Sequence, residues 1–405
     1  AGADAYNVAI GSNAGGAVTT GLANTLVGGL AGDALTTGQS NVALGYNALA
    51  ANTTASSNVA LGKDALEFNT RSGGNIAIGD RALEDTNPAN DGNWYNIGIG
   101  HHAGRDISTG NDNTVIGGLS GDALTIGTRN VAVGTYTLSN DIEGSANVAI
   151  GHSALLNQQT SGNGSAQLTY NTAVGDSAGA QITTGTLNTI IGGLAGDALT
   201  TGATNVALGY GALGTEDTGS RNVAIGHNAL ATQNYDGNAY NVAVGHTAGA
   251  LISTGIQNTI VGGLAGDALT TGADNVAIGW AALSTEDTGG RNTAIGKGAL
   301  NLLDAGADGY NVAVGFNSGV AMTTGTLNTL IGGLAGDALT TGSNNVALGY
   351  KALSTEDAHG FNVAVGHEAL KTLNAGANAY NTAVGYQAGA AVTTGVNNTL
   401  IGGLA

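Results

Sequence analysis

The chain of 405 residues has no cysteine, one proline, 4% aromatic residues and 9% charged residues. The lack of cysteine excludes disulfides, thiolate zinc sites and a thiol nucleophile. No apolar run reaches the roughly 20 residues of a membrane-spanning helix, so we expect no direct membrane insertion by this segment. The formal net charge is −18. Because binding to a phosphate backbone needs clustered lysine and arginine, we expect no nucleic-acid partner.

The composition is instead dominated by glycine and by small or branched apolar residues. The sequence contains 71 glycines, and 42% of its residues are hydrophobic. The hydrophobic fraction is too high for a typical disordered chain, in which little apolar surface is available for burial. With only 3 phenylalanines and 1 methionine, the composition predicts a thin core made of even layers.

A short repeat runs through the whole sequence. Each unit begins with Asn, followed by Val, Thr or Ile, usually Ala, a branched residue or Leu, and Gly. The unit occurs 23 times, mostly at a spacing of 17 residues, and four variants alternate in cycles that start near residues 7, 96, 171, 241, 311 and 381. The last three full cycles are 70 residues long. We therefore predict one continuous repeat array over residues 1–405, and we expect it to be a fragment of a longer fibre.

Each unit has the pattern of one coil of a parallel β-solenoid, so the predicted fold class is all-β with about 23 rungs. In the first unit Val8 and Ile10 share one face of a strand, while Ala9 points to the other. Gly11 fits a tight corner. A second short strand is expected around the following "AL" or "AG", and "TTG" makes the return turn. The repeated Ala predicts that its face is also covered, by the coil's own return segment or by a neighbouring copy.

The Asn that opens each unit predicts a structural ladder. Stacked amides can hydrogen-bond to the rungs above and below, as in cross-β arrays. Alternatively, Asn simply tolerates the conformation of a turn. Both interpretations are structural. The predicted ladder includes Asn188, Asn205, Asn222, Asn241 and Asn258.

The segments "NVAIG", "NVALGYNAL" and "NTAIGKGAL" resemble the head repeats of trimeric autotransporter adhesins and the repeat arrays of phage tail fibres and bacterial surface fibres. The resemblance covers nearly the whole chain. It implies an extracellular protein of a cell surface or a virion fibre, assembled as a homotrimer. We therefore expect a structural or adhesive fibre that presents edge loops for surface attachment. A filament subunit that stacks end to end is the main alternative, and an ice-binding solenoid or a phage tailspike are further ones.

Two sets of aromatic residues are candidate contacts with cell-surface glycans. One set directly follows the motif glycine, at a corner of the coil: Tyr210, Trp280 and Tyr350. The other set closes the longer connections: Tyr240 and Tyr310. Corner packing and loop pinning are the alternative roles. The candidate binding loops are residues 84–95, 156–170, 231–240, 301–310 and 371–380.

Acidic residues recur at fixed places in the units and make Ca²⁺ the one candidate cofactor, since stacked carboxylates suit this cation. Solvated corner residues are the alternative. Because each carboxylate set occurs in several equal copies, whereas a catalytic pair is normally unique, we predict that the chain is not an enzyme. The candidate ligands are Asp197, Asp267 and Asp337 in "GDAL" and Glu286 and Asp287 in "TED".

Overall fold

A computed structural model, which describes residues 5–160 and 164–405, shows an all-β parallel β-solenoid of about 23 turns. No helix occurs among these residues. The chain forms two compact units, Ala1–Thr204 and Asn205–Ala405. The predicted fold class and the spacing of the turns are thus confirmed.

In the first unit, three-residue strands pair in parallel with their equivalents one turn away. Val131, for example, aligns with Thr114 on one side and Val148 on the other. Two pairs of two-residue strands, β5 with β7 and β11 with β13, lie at the longer connections. The strands are β1 Val8–Ile10, β2 Thr25–Val27, β3 Val42–Leu44, β4 Val59–Leu61, β5 Ser72–Gly73, β6 Ile76–Ile78, β7 Gly92–Asn93, β8 Ile97–Ile99, β9 Thr114–Ile116, β10 Val131–Val133, β11 Gly144–Ser145, β12 Val148–Ile150, β13 Gln167–Leu168, β14 Thr172–Val174 and β15 Thr189–Ile191.

The second unit repeats this arrangement without the short extra strands. Val276 aligns with Thr259 and with Thr293, and the same register holds between successive strands of this unit. Register is therefore constant despite turns of 17 and 19 residues. The strands are β16 Val206–Leu208, β17 Val223–Ile225, β18 Val242–Val244, β19 Thr259–Val261, β20 Val276–Ile278, β21 Thr293–Ile295, β22 Val312–Val314, β23 Thr329–Ile331, β24 Val346–Leu348, β25 Val363–Val365, β26 Thr382–Val384 and β27 Thr399–Ile401.

The segment after each strand is a turn, so the predicted second strand around "AL" or "AG" is wrong. After β20, Ala281 and Leu283 have left-handed backbone conformations, with φ of 52° and 53°. Left-handed residues cannot continue an extended strand. Their N–H groups donate along the stacking direction instead: Ala281 to the carbonyl of Gly263 and Leu283 to that of Ala299, both at 3.0 Å. The turn thus still satisfies its backbone through neighbouring turns.

Each three-residue strand from β2 to β26 buries its central residue and leaves the two flanking residues outside. In β20, Ala277 is fully buried, while Ile278 is 36% exposed. The coil's own turn, including the buried Ala282 and Leu283, shares this interior. The Ala face is therefore covered within the chain. The sequence pattern predicts that the opposite, Val/Ile face of each strand is covered as well. Within the chain this face is not covered, because its branched side chains point outwards.

Core volume is kept constant by exchanging large and small residues between two positions of a turn. In the turn of β19, the strand centre is Ile260 and the turn carries Gly266; a Cβ on Gly266 would lie 3.0 Å from Cδ1 of Ile260. One turn later the strand centre is Ala277 and the corresponding turn residue is Leu283. Because interiors are close-packed, these paired choices allow unlike turns to stack.

Buried Asn side chains join each turn to the next. The N–H of Asn258 donates to Oδ1 of Asn241 at 2.9 Å, and Nδ2 of Asn258 donates to the carbonyl of Gly272 at 2.9 Å. One amide therefore fixes both the neighbouring turn and the return corner of its own coil. At most 1% of each predicted ladder residue is exposed: Asn188, Asn205, Asn222, Asn241 and Asn258.

Replacing the motif glycine should destabilise the fold far more than replacing its neighbour. Gly117 has φ +134°, and its Cβ would lie 2.3 Å from the carbonyl oxygen of Gly134. We expect Gly117→Ala to lower the free energy of unfolding by about 2–4 kcal/mol, from backbone strain and overpacking. Gly118→Ala is the matched control, because nothing lies within 4 Å of its Cβ position. Equal urea midpoints for the two variants would contradict this account.

Removal of one ladder amide should also be costly. Asn258→Ala deprives the N–H of Asn275 of its acceptor, now 3.0 Å away, and the carbonyl of Gly272 of a donor. We expect the free energy of unfolding to fall by about 2–4 kcal/mol, since each buried unsatisfied group costs about 1–3 kcal/mol. Thr271→Ala, at an exposed position of the same unit, serves as the control in chemical denaturation. A loss no larger than that of the control would refute a stabilising ladder.

Candidate functional site

The most unusual surface is the outward side of the strands, here called the sheet face and defined as the first and third residues of each three-residue strand. Leu208 and Ile331 in the second unit are each 40% exposed, and Val42 and Leu44 in the first unit are similar. Every position of the sheet face is Val, Ile, Leu or Thr. The third residue of each strand is always Val, Ile or Leu. The sheet face is thus uncharged and largely apolar.

The sheet face of each unit is about as large as the largest apolar patch on a typical monomer. In the second unit, twelve strands at about 4.8 Å spacing and a width of about 10 Å give roughly 500 Å². The largest apolar patch on a typical monomer is about 300–600 Å², and such patches often mark interaction sites. The first unit carries an equivalent strip on eleven strands. A surface of this kind favours contact with another apolar surface.

One border of the sheet face, the downstream edge, consists of the residues that directly follow the motif glycine. Tyr210, Trp280 and Tyr350 all lie there, about half exposed, with their neighbours of adjacent turns. Tyr210 stacks on His227 with ring centroids 5.7 Å apart, and Tyr350 lies 5.4 Å from His367. The predicted corner position therefore carries short runs of contacting rings, which are interrupted by residues such as Gly263 and Gly333.

These ring contacts limit what the downstream edge can bind. Sugars stack on aromatic faces, but here a ring face is turned along the column towards the next turn. Lys297 adds a cation 5.3 Å from the ring centroid of Trp280 and 5.9 Å from that of Phe316. Such cation–π contacts stabilise exposed sites by about 0.5–1 kcal/mol. The geometry supports corner packing, and glycan contact by Tyr210, Trp280 and Tyr350 stays a prediction.

The opposite border, the upstream edge, consists of the residues that precede the ladder Asn. Tyr240 and Tyr310 lie there with left-handed backbones, φ 54° and 49°. Their hydroxyls accept hydrogen bonds from Arg221 and Arg291, respectively, and the guanidinium carbons lie 5.5 and 5.4 Å from the ring centroids. Tyr240 and Tyr310 therefore each pack on the turn before them, which is the arrangement expected for loop pinning.

The long connections themselves are held from inside the coil. Residues 161–163 of the connection 156–170 lie outside the described residues. In the second unit, Oε2 of Glu286 accepts the N–H of Ala305 at 3.1 Å in the connection 301–310, and Oε1 accepts that of Gly289 at 2.7 Å. Glu286 is fully buried. It occupies the interior column that holds Leu269 and Leu303 in adjacent turns.

This burial corrects the picture of Glu286 as a solvated corner residue. The "TED" glutamates Glu216 and Glu356 are equally buried, and each accepts a backbone N–H from the next long connection. The sequence has Leu269, Glu286 and Leu303 at the same position of three successive repeats. A glutamate that alternates with leucine in this way is the sequence signal for a side chain that points into the core. These glutamates were missed as loop-holding residues because charged side chains are rarely fully buried.

The structure brings only some of the predicted calcium ligands close to one another. Carboxylate oxygens of Glu286, Asp287 and Asp304 lie within 4.8 Å of one another. Asp197, Asp267 and Asp337 belong to no such group among the described residues. Both oxygens of Glu286 already accept backbone hydrogen bonds, so a cation there would have to displace them or share them. Calcium binding stays a prediction.

Burial dominates the electrostatics of these acids. It raises the pKa of Glu286 and of Glu216 above the ordinary glutamate value, although hydrogen bonds from backbone N–H groups oppose the shift. Burial likewise raises the pKa of the half-buried Asp197, Asp267 and Asp337. The cause is the same in each case, because a low-dielectric environment disfavours the charged form of a carboxyl.

These shifts predict a solenoid that is more stable in mild acid than at neutral pH. A carboxyl with a raised folded-state pKa binds protons more readily when folded, so stability is gained as pH falls through that pKa and lost as pH rises through it. We expect the melting temperature to rise between pH 7 and pH 5. Glu286→Gln should reduce the rise.

Glu368→Gln is the control for this pH dependence. Hydrogen bonds from Lys371 and Gln387 lower the pKa of Glu368, so this group contributes in the opposite direction. A melting temperature that falls steadily on acidification from pH 7 to pH 5 would show that the buried carboxyls do not govern the pH profile.

No protein-family model matches the chain, and comparison with curated proteins finds no match. Within residues 5–160 and 164–405 there is no helix long and apolar enough to span a bilayer.

Proposed function

We propose that the chain is the subunit of an extracellular structural fibre, which assembles as a homotrimer through the sheet face. The observation that carries the proposal is the uniform outward row of Val, Ile, Leu and Thr on every strand. Folding of one chain leaves this row exposed, although branched apolar side chains gain most from burial. A second and third copy offer an equally long and equally uncharged partner surface.

The free energy available from this contact is of the order that assembly requires. Burial of roughly 500 Å² per unit at about 25 cal/mol per Å² contributes roughly 12 kcal/mol for each unit and copy. Association costs about 4–15 kcal/mol in lost translational and rotational freedom. The gain from one unit is therefore of the same order as this cost. The Thr residues keep part of the face polar enough for the subunit to remain soluble before it assembles.

The choice of three copies rests on the resemblance of the "NVAIG" units to trimeric adhesin heads and fibre repeats. The same resemblance supports a position on a cell surface or in a virion fibre and an adhesive role for the long connections. The edges fit this arrangement, because half-exposed aromatic residues such as Tyr210 and Tyr310 border the sheet face on both sides. The repetition of each acidic set supports a structural role over an enzymatic one.

End-to-end stacking into filaments is the second candidate, because the strands of a terminal turn have unpaired edges. The "TTG" threonines give the ice-binding alternative little support. The hydroxyls of Thr270 and Thr340, the first threonine of the triplet in two of these turns, donate to carbonyls one turn away.

The test is the mass in solution, measured by light scattering on the purified chain and on two variants. We expect the wild type to have about three times the 39.2 kDa mass of one chain. Ile278→Asp places a charge on the sheet face and should yield monomers or fewer trimers, because a buried unpaired charge is costly. Thr271→Asp, exposed and outside the sheet face, should leave the trimer intact.

Three other outcomes would overturn the trimer. A wild-type monomer would leave the sheet face without a second copy, a dimer would replace the threefold arrangement by a face-to-face pair, and long polymers that survive Ile278→Asp would favour end-to-end stacking. Circular dichroism of Ile278→Asp establishes that the variant is folded, so a loss of mass reports on assembly.

A further inference from the structure

Three potential metal-ligating side chains meet at one corner of the first unit, here called the His-Asp corner and defined as Asp80, His101 and His102. Asp80 follows the motif glycine after β6, and His101 follows the motif glycine after β8, so the two lie in adjacent turns. The N–H of His102 donates to the carbonyl oxygen of Asp80 at 2.9 Å. The backbone of the solenoid therefore holds the three residues next to each other.

The donor atoms of the His-Asp corner are close enough to share one ion. One ligand atom from each residue lies within 4.8 Å of the others, and Nε2 of His101 is 3.6 Å from Oδ2 of Asp80. Metal–ligand distances of about 2.0–2.2 Å place neighbouring ligands about 3.0–3.6 Å apart. The imidazoles are stacked, with centroids 3.9 Å apart. Because the lone pairs of stacked rings point side by side, at least one imidazole has to turn out of the stack before both nitrogens face the same ion.

A second observation at the same corner points to a cation. Oδ1 of Asp80 is shielded from solvent and has no hydrogen-bond partner among the described residues, whereas the side chain as a whole is 42% exposed. A buried acceptor without a partner is unfavourable and calls for an explanation, of which an ion is one. The side chain of His101 is 59% exposed, so an ion can reach the corner from solvent.

Lys63, Arg81 and Arg105 place positive charge near the corner, and of these Arg105 contacts His102 without blocking it. Arg105 donates two hydrogen bonds to the carboxylate of Asp106, and its remaining contact is a 3.4 Å approach of Nη1 to Nδ1 of His102. Because arginine can only donate, Nδ1 of His102 presents a lone pair in this arrangement. A metal ion would bind through this same lone pair. If the weak contact between Arg105 and His102 is lost, the two hydrogen bonds to Asp106 still hold the guanidinium of Arg105 in place.

We propose that Asp80, His101 and His102 bind one divalent first-row transition metal ion, with solvent completing its coordination. Two imidazoles and one carboxylate are a donor set suited to ions such as Zn²⁺ and Co²⁺, whereas Ca²⁺ prefers oxygen ligands alone. The ion bridges two adjacent turns through side chains, so its binding stabilises the first unit. The site lies on the downstream edge, beside the sheet face, and none of its three ligands belongs to the sheet face itself.

The chain contains a natural comparison for this site. His152 and Asp176 occupy the same corner positions in another pair of adjacent turns, with Nδ1 3.3 Å from Oδ1. At the place corresponding to His102 this corner has Ser177. It therefore offers the same histidine–carboxylate contact with one imidazole fewer.

The test uses calorimetric titration of the full chain with Zn²⁺ and the visible absorption of added Co²⁺. We expect one strongly bound ion per chain. His102→Ser, which copies the natural comparison, should weaken binding by about 100-fold or more, since even the loss of an outer-shell partner costs 10–100-fold. His152→Ser should leave both the affinity and the Co²⁺ spectrum unchanged.

Two results would overturn the proposal. One is the absence of a Zn²⁺ site in the wild type, and the other is equal weakening by His102→Ser and His152→Ser, which would indicate scattered surface histidines. Histidine ring signals in NMR provide the structural readout: those of His101 and His102 should shift on addition of Zn²⁺, and that of His152 should not. Melting curves without metal establish that the variants fold as the wild type does.

Discussion

Hydrogen bonding from turn to turn, in a register that never shifts within a unit, is the constraint on which the rest of the structure depends. Strands of three residues are too short to be stable alone, and a coil of 17 residues encloses little core. The stack compensates because almost every part of the coil, including the left-handed turn, donates or accepts along the same direction. The ladder Asn sets the register, since one amide binds the next turn and the return corner together.

The narrow interior explains the distribution of residue sizes. A coil with room for Ala277 and Leu283 cannot also admit Val276 and Ile278, which therefore point outwards. In most proteins the larger apolar residues fill the core. Here Ala and Leu fill most of the core, whereas much of the Val and Ile lies on the sheet face. The chain thus completes its own interior while leaving an apolar surface, a combination that suits a subunit better than a protein that acts alone.

The sequence was sufficient to predict the repeat, the parallel stacking and the Asn column, because all three follow directly from a constant period. It was insufficient to decide which strand face is inside. Alternation separates Val276 and Ile278 from Ala277 but does not say which side encloses the core. The turn was also misread, because nothing in the type of residue announces that Leu283 adopts a left-handed backbone.

Some of the candidate site residues could likewise be placed from the sequence, and others could not. The exposed tyrosines lie on the edges where the spacing placed them, since corner positions follow from the motif. Glu286 was assigned to the surface because charge normally predicts exposure, and only comparison with Leu269 and Leu303 reveals its inward column. The His-Asp corner escaped notice because its three residues occur together once, whereas a repeat pattern reveals only the features that recur.

The paired choice of large and small core residues bears on how the gene can change in length. Examples are Ile260 with Gly266 in one turn and Ala277 with Leu283 in the next. Each turn matches its neighbour in core volume as well as in register. A whole cycle of four turns can therefore be gained or lost without requiring any new type of contact between turns. Recombination between near-identical copies in a gene would then change the length of the protein in complete steps. Length becomes a trait that selection can adjust independently of the fold.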